Sequence, residues 1–172
     1  QGFCMTGCQA KVLVTLINRQ NCCQPERLYR DLRSQGSRQL QFIPLQARDN
    51  PASITDQQWA AFLAAVFDVW VREGIGRISV QLFDSALEIW RGNPPPICAF
   101  PLPDECQACP VRYLCNSDTP QPWVEGKNAL CAGYQAFFRH SAPHMRVMRD
   151  LMRYRRSPVE LMALMRQSQR VN

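Results

Sequence analysis

The chain is short of the features that mark membrane, secreted and disordered proteins. None of its apolar runs approaches the roughly 20 residues that a membrane-spanning helix needs, and residues 1–8 lack the long apolar stretch of a secretory signal. With 46% hydrophobic and 20% charged residues among 172, the chain is also not a disordered one. We expect a cytoplasmic protein without membrane contact, built as one compact domain or as a domain with a small appendage.

Familiar catalytic motifs are missing as well. No G-x-S-x-G elbow, phosphate-binding loop or H-E-x-x-H helix occurs, so nothing supports a hydrolase or a nucleotide-binding enzyme. The two histidines, His140 and His144, are separated by Pro143, which should interrupt a shared helix face, and no carboxylate is patterned to assist them. We therefore expect no metal at this pair.

Alternating strand and helix patterns predict a parallel α/β layer. Strands are predicted at Lys11 to Asn18, Gln39 to Leu45 and Arg77 to Phe83. A helical pattern follows each of them, opening at Pro25, at Thr55 with its capping box, and at Ser85. Right-handed crossovers place such strands parallel. Three strands cannot close a barrel, and because their sheet keeps open edges we expect a homodimer or a protein partner to cover it.

Polar residues at the ends of these strands invite two interpretations. Gln81 and Asp84 lie where α/β folds place ligand contacts, although Asp84 as the cap of a helix at Ser85 is the stronger hypothesis. Arg19, after the first strand, is better explained as a surface arginine.

Prolines divide the chain into three predicted parts. Residues 93–103 hold five of the thirteen prolines and break regular structure. The sequence therefore predicts a partial β/α barrel over residues 1–92, a Cys-rich segment over 93–135 and basic C-terminal helices over 136–172.

Four cysteines of the middle part have the spacing of a metal site. Cys106, Cys109 and Cys115 form a C-x2-C-x5-C pattern, and Cys131 adds a fourth sulfur. Two Cys separated by two residues can turn their sulfurs toward one zinc ion or iron–sulfur cluster, and spacing alone does not choose between these. The alternative is four small buried side chains without a ligand role.

The remaining cysteines carry weaker signals. The odd total of nine, without a signal peptide, favours a reducing compartment over a disulfide scaffold. Cys22 and Cys23 lie at a helix start and are interpreted as structural, and Cys98 is isolated among prolines. Cys4 and Cys8 have the first gap of the C-x3-C-x2-C loop that holds the S-adenosylmethionine-cleaving cluster, but the third position is Lys11, which cannot supply a thiolate.

The net positive charge lies at the C-terminus. Residues 139–172 contain eight Arg against Asp150 and Glu160, whereas the other residues balance at 12 against 12. Met145, Met148 and Met152 share a predicted helix face, and arginines such as Arg149 and Arg153 lie alongside. Packing of the Met face is the stronger interpretation, and contact of the arginines with DNA phosphates is the alternative.

Five segments give the chain its resemblance to a known family. They are LINRQN (16–21), GSRQLQFIPLQARD (36–49), VQLFDSAL (80–87), CQACPVRYLCN (106–116) and LCAGYQAFF (130–138). In this order they resemble the anaerobic sulfatase-maturating enzymes, radical S-adenosylmethionine proteins with a SPASM-type auxiliary-cluster domain. The resemblance implies a partial barrel and two auxiliary 4Fe–4S clusters in an enzyme that oxidises a Cys or Ser of a sulfatase to formylglycine.

The resemblance also implies what this chain has kept and lost. Cys106, Cys109, Cys115 and Cys131 match all four ligands of the distal auxiliary cluster. Of the other auxiliary cluster only the first ligand is matched, by Cys98. The interval after Cys98 that carries two further ligands and the proposed catalytic Asp in the family is nearly absent, and Thr119 stands at the last-ligand position.

The three strands therefore resemble the second half of the family barrel, without the half that carries the radical loop. We expect a degenerate relative that binds one 4Fe–4S cluster, with zinc as a substitute and no S-adenosylmethionine, and that does not itself catalyse radical chemistry. Its expected role is accessory or regulatory in sulfatase maturation, with a sulfatase or a sulfatase-maturating enzyme as partner. The alternative is a DNA-binding regulator that uses the basic helices and has a structural or redox-sensing Cys site.

Overall fold

A computed structural model describes residues 12–47, 49–93, 104–115, 123–124 and 127–170. A 3-10 turn, Asn21–Cys23, joins the first strand to the first helix. The strands are β1 Val12–Ile17, β2 Gln39–Pro44, β3 Ser79–Val80, β4 Trp123–Val124 and β5 Lys127–Asn128. The helices are α1 Pro25–Ser34, α2 Asp56–Glu73, α3 Gln81–Trp90, α4 Asp104–Gln107, α5 Arg112–Cys115, α6 Cys131–Arg153 and α7 Glu160–Arg170.

Strands β1, β2 and β3 form an open parallel sheet in that order, which confirms the predicted α/β class. Leu13 pairs with Leu40 and Thr15 with Phe42, so these four side chains share one face of the sheet. The Phe42 ring meets that of Phe62 on α2 edge to face, at 5.2 Å between centroids. This face is thus covered by helix, as in a half barrel. Strands β4 and β5 pair antiparallel as a separate ribbon.

Helix α2 supplies most of the core that holds the sheet. The Thr55 side chain accepts from the Gln58 backbone N–H and the Gln58 side chain accepts from the Thr55 N–H, which confirms the predicted capping box. The apolar face of α2 is buried throughout: Trp59, Phe62, Leu63, Val66, Phe67, Trp70 and Val71. The long helix is therefore fixed by local capping at its start and by burial along one side.

The third strand is much shorter than predicted. The sequence predicts a strand to Phe83, but the chain turns into α3 at Gln81. Phe83, Ala86 and Leu87 recur at helical spacing and are all buried, so the helical period decides the conformation of this stretch. The hypothesis that Asp84 caps a helix at Ser85 is wrong, because Asp84 lies inside the first turn of α3.

Pro143 does not interrupt the last long helix, contrary to the prediction. Helix α6 runs through it without a break. Phe138, Ser141 and Met145 on either side of the proline are all buried, and this packing offsets the roughly 3 kcal/mol that an interior proline costs. At the start of α6, a Cβ at Gly133 would lie 2.6 Å from the Asp56 carbonyl oxygen, so glycine lets α6 approach the first turn of α2 closely.

Among the residues that the structure describes, no helix combines the length and the apolar character needed to cross a bilayer.

Candidate functional site

The four cysteines predicted to bind a cluster lie on three consecutive helical elements. Cys106 is in α4, Cys109 in the turn that follows, Cys115 at the end of α5, and Cys131 at the first position of α6. The structure records all four as thiols with partly exposed side chains. They are therefore accessible to an incoming metal or cluster rather than buried as small apolar side chains.

The turn between α4 and α5 is held by its backbone and by one arginine. The Cys109 N–H donates to the Cys106 carbonyl at 3.2 Å, and the Arg112 N–H donates to the Cys109 carbonyl at 3.2 Å. The Arg112 guanidinium donates to the Gln107 carbonyl at 3.0 Å and lies 4.6 Å from the centre of the Tyr113 ring. These contacts keep the two cysteines of the C-x2-C pair on one short loop.

Helix α5 docks this loop onto the core beside α6. Val111, Leu114 and Cys115 pack against the hydrophobic core. Burial raises the pKa of Tyr134 on α6, and the charge of the neighbouring Cys115 adds to this increase. Cys115 and Cys131, which are far apart in sequence, are thus brought to the same end of α6.

Two donors lie beside these sulfurs. Gln135 donates its side-chain amide to the Cys131 sulfur at 3.3 Å. The Tyr134 hydroxyl is buried near the Trp59 indole and makes no hydrogen bond of normal geometry among the described residues. Hydrogen bonds to the sulfurs are a common feature of iron–sulfur sites, where they tune the potential of the cluster. The thiols and these hydrogen-bond donors are residue types that suit an iron–sulfur cluster.

The sulfurs do not form a closed set of ligands. Within the part of the chain that the structure describes, which includes all four cysteines, no three Cys, His, Asp or Glu side chains converge as a metal site would require. Helices α5 and α6 are in contact, but the four thiols would have to move together to hold one ion or cluster. The residue types therefore suit a metal ion or cluster, but the thiols are not arranged around a common centre.

The polar residues singled out at the strand ends make structural contacts. Asp84 accepts a hydrogen bond from the Ser79 hydroxyl, and burial raises its pKa. Gln81 lines a cavity of only about 10 Å³ together with Trp59 and Tyr134, which is room for about one water. Arg19 is exposed and its N–H donates to the Ala52 carbonyl at 3.0 Å.

Sequence reasoning missed the partner of one histidine. His140 contacts Asp68 of α2 at 2.7 Å between Nε2 and Oδ1. The ring of His144, one turn further along α6, packs edge to face on Phe67. Burial lowers the pKa of His144, while the Asp68 charge opposes this shift. Only tertiary packing places Asp68 here, since 72 positions separate it from His140.

The basic C-terminal helices have their apolar face in the core. Met145 and Met148 are fully buried, in agreement with the packing interpretation. Arg149 donates to Asp150 and lies 5.5 Å from the centre of the Trp90 ring, and Arg156 pairs with Glu160. Arg153 is exposed. DNA binding by these arginines stays a prediction.

Among the described residues, the sheet has an open edge at β1 and apolar side chains exposed on one face of that strand. Strand β1 pairs only with β2 there. The side chains of Val12, Val14 and Leu16 point to the same face and are 47%, 53% and 50% exposed. A partner at this edge stays a prediction. Several residues singled out in the sequence lie outside the described ones, namely Cys4, Cys8, Lys11, Cys98 and Thr119.

Comparison with known proteins finds curated relatives that include YidF and two sulfatase-maturating enzymes. The uncharacterised protein YidF of Escherichia coli K12 is 42% identical over 161 residues, which cover 88% of this chain and 90% of YidF. A serine-type anaerobic sulfatase-maturating enzyme of Bacteroides thetaiotaomicron is 25% identical over 64% of this chain and 42% of the enzyme. A cysteine-type enzyme of Clostridium novyi is 30% identical over 51% of this chain and 26% of the enzyme.

Solved structures agree on the fold. The structure described as native anSMEcpe with bound AdoMet superposes with a TM-score of 0.62 at 16% identity, covering 81% of this chain and 57% of that one. The same protein with the Cp18Cys peptide gives a TM-score of 0.61. No family model matches the chain.

Fold and similarity together define an α/β half-barrel protein related to the radical S-adenosylmethionine enzymes that mature sulfatases. The chain belongs to the same family as YidF, and partial similarity relates it to the anaerobic sulfatase-maturating enzymes. It spans about half or less of the sequence of the maturating enzymes that it matches.

Proposed function

We propose that this chain is a cytoplasmic iron–sulfur protein of sulfatase maturation, which binds one 4Fe–4S cluster and assists a sulfatase or a separate sulfatase-maturating enzyme. The observation that carries the proposal is the placement of Cys106, Cys109, Cys115 and Cys131. All four are partly exposed thiols, three of them on α4, α5 and the turn between them and the fourth at the start of α6, which contacts α5. The relation to the maturating enzymes supports the same assignment.

The open arrangement of the sulfurs is compatible with a site that closes when its cluster binds. Metal binding can be coupled to folding, in which case the ion or cluster draws its ligands together and orders the chain around them. Helices α4 and α5 have four residues each and bury none of their side chains fully, so little packing resists such a movement. Cys131 is the fixed ligand, since α6 is anchored on α2.

The first test is a metal analysis of protein purified without oxygen. We expect about four irons and four acid-labile sulfides per chain, with the charge-transfer absorbance of a 4Fe–4S cluster. The variant Cys109→Ser should lose both. Cys23→Ser is the matched control, because Cys23 is an exposed thiol outside the four-cysteine site.

Other compositions would contradict the proposal. One zinc per chain without sulfide would make the site a structural clip, and a metal-free protein would mean that the cysteines have no ligand role. Equal loss of iron in Cys109→Ser and Cys23→Ser would place the cluster elsewhere or show that it is bound without specificity.

The accessory role is tested by adding the chain to a maturation assay. A sulfatase-maturating enzyme with its reductant converts a sulfatase peptide to the formylglycine form, and mass spectrometry follows the product. We expect the cluster-loaded chain to change the initial rate and Cys109→Ser to have no effect. An unchanged rate with the loaded chain, at concentrations that saturate any complex, would contradict this role.

A further inference from the structure

Cys22 and Cys23, adjacent in sequence, turn their thiols to the same point. Each sulfur lies 3.4 Å from the carbonyl oxygen of Arg19. The 3-10 turn that carries them follows β1, at the carboxyl end of the parallel sheet. Asn18 and Asn21 fix this turn through hydrogen bonds between their side chains and the backbone. The two sulfurs therefore form a compact dithiol.

The two thiols differ in access. Cys22 is 7% exposed and belongs to the hydrophobic core, whereas Cys23 is exposed. The pKa of the Cys22 thiol is raised, first by burial and then by the charge of Cys23 and a hydrogen bond with it. An external reagent thus meets Cys23 first, and Cys22 lies behind it as a second thiol within reach.

We propose that Cys22 and Cys23 are a thiol-modification site that exchanges with small disulfides of the glutathione class. The Cys23 thiolate attacks the external disulfide, forms a mixed disulfide and releases one glutathione thiolate. The Cys22 thiol, as its thiolate, then attacks the Cys23 sulfur and releases the second glutathione. Two protein thiols are oxidised to one disulfide, and one glutathione disulfide is reduced to two thiols that take up the two protons.

Such a disulfide should be easily reversed. Adjacent Cα atoms are about 3.8 Å apart across a trans peptide, closer than the roughly 4.4 to 6.8 Å of ordinary disulfides. Strained disulfides are readily reduced and are the labile or regulatory ones. Closing the ring would also pull Cys22 away from its place in the core and reshape the turn at the carboxyl edge of the sheet.

Peptide mapping tests the proposal on the whole chain. Trypsin cleaves after Arg19 and Arg27, and the peptide 20–27 contains Cys22 and Cys23 but no other cysteine. After treatment of reduced protein with glutathione disulfide and alkylation of the remaining thiols, we expect this peptide to be unalkylated and two hydrogens lighter. Brief treatment with a dithiol reductant should restore two alkylated cysteines.

Two variants separate the roles of the thiols. Cys22→Ser should accumulate one glutathione on Cys23, because no second thiol resolves the mixed disulfide. Cys23→Ser should leave Cys22 unmodified. Cys22→Ala replaces Cys22→Ser if the hydroxyl destabilises the core, as judged by circular dichroism. A fully alkylated wild-type peptide, or Cys22→Ser without glutathione on Cys23, would overturn the proposal.

Discussion

Helix α2 and the cysteine segment of α4 and α5 differ in what holds them in place. Eight side chains of α2 are buried and its first turn is capped. The two short helices bury no side chain fully and are tied down by Arg112 and by the contact of α5 with the core. Hydrophobic burial thus holds the first region, whereas the second is held by fewer contacts and keeps its thiols partly exposed. The proposed cluster site therefore lies apart from the main core.

The largest expected effect is on the core. Phe67 is fully buried among Trp70, Phe83 and Phe137, with ring centroids 5.1 to 5.8 Å away. Phe67→Ala should lower the free energy of unfolding by about 3–5 kcal/mol, measured by denaturant titration. Tyr113→Ala on α5 is the contrasting variant, since that side chain is 58% exposed and its loss should cost no more than about 0.5 kcal/mol. Equal losses of unfolding free energy in Phe67→Ala and Tyr113→Ala would contradict the conclusion that α2 contributes much more to stability than α5.

Removal of the proposed cluster should loosen only the cysteine segment. Hydrogen exchange of α4 and α5 amides should become faster in chelator-treated protein, because ligands no longer restrain them. The amides of α2 should keep their protection. Faster exchange of α2 to the same degree would mean that the cluster supports the whole fold.

The open sheet edge should affect assembly more than stability. An uncovered strand with exposed apolar side chains predicts pairing with a second copy of the chain. Light scattering should therefore give a dimer, and Val14→Lys, a charge in the middle of exposed β1, should give a monomer. Val147→Lys is the control on α6, where the valine is 38% exposed. A monodisperse wild-type monomer would contradict this prediction.

The smallest expected effect is a pH dependence at His144. The His144 imidazole lies near Asp68 and Arg72 of α2 and His140 of its own helix. Burial lowers its pKa. The unfolded chain therefore takes up a proton more readily, so stability should fall as the pH drops below about 6.5. Denaturant midpoints at about pH 7.5 and pH 5.5 should differ less in His144→Gln than in the wild type. The same difference in both proteins would show that other groups cause it.

The sequence predicted the elements whose signals are local. Neighbouring residues alone predict strands β1 and β2, the start of α1 at Pro25 and the capped start of α2. The parallel α/β class and the relation to the sulfatase-maturating enzymes were also predicted. The cysteine ligand set was proposed from spacing and resemblance, and it stays a prediction until metal is measured.

Other features required the folded chain. Whether residues 81–83 continue a strand or begin α3 depends on what Phe83 meets in the core, and Pro143 is accepted in α6 because packing on both sides offsets its cost.

Local periodicity and capping thus determined the strands, most helices and the fold class from sequence alone, since they act between residues a few positions apart. Only the tertiary structure brought Asp68 to His140 and placed the end of α5 beside the start of α6. It also gave Cys22 and Cys23 opposite exposure. Such contacts depend on packing between distant segments, which no short stretch of sequence specifies.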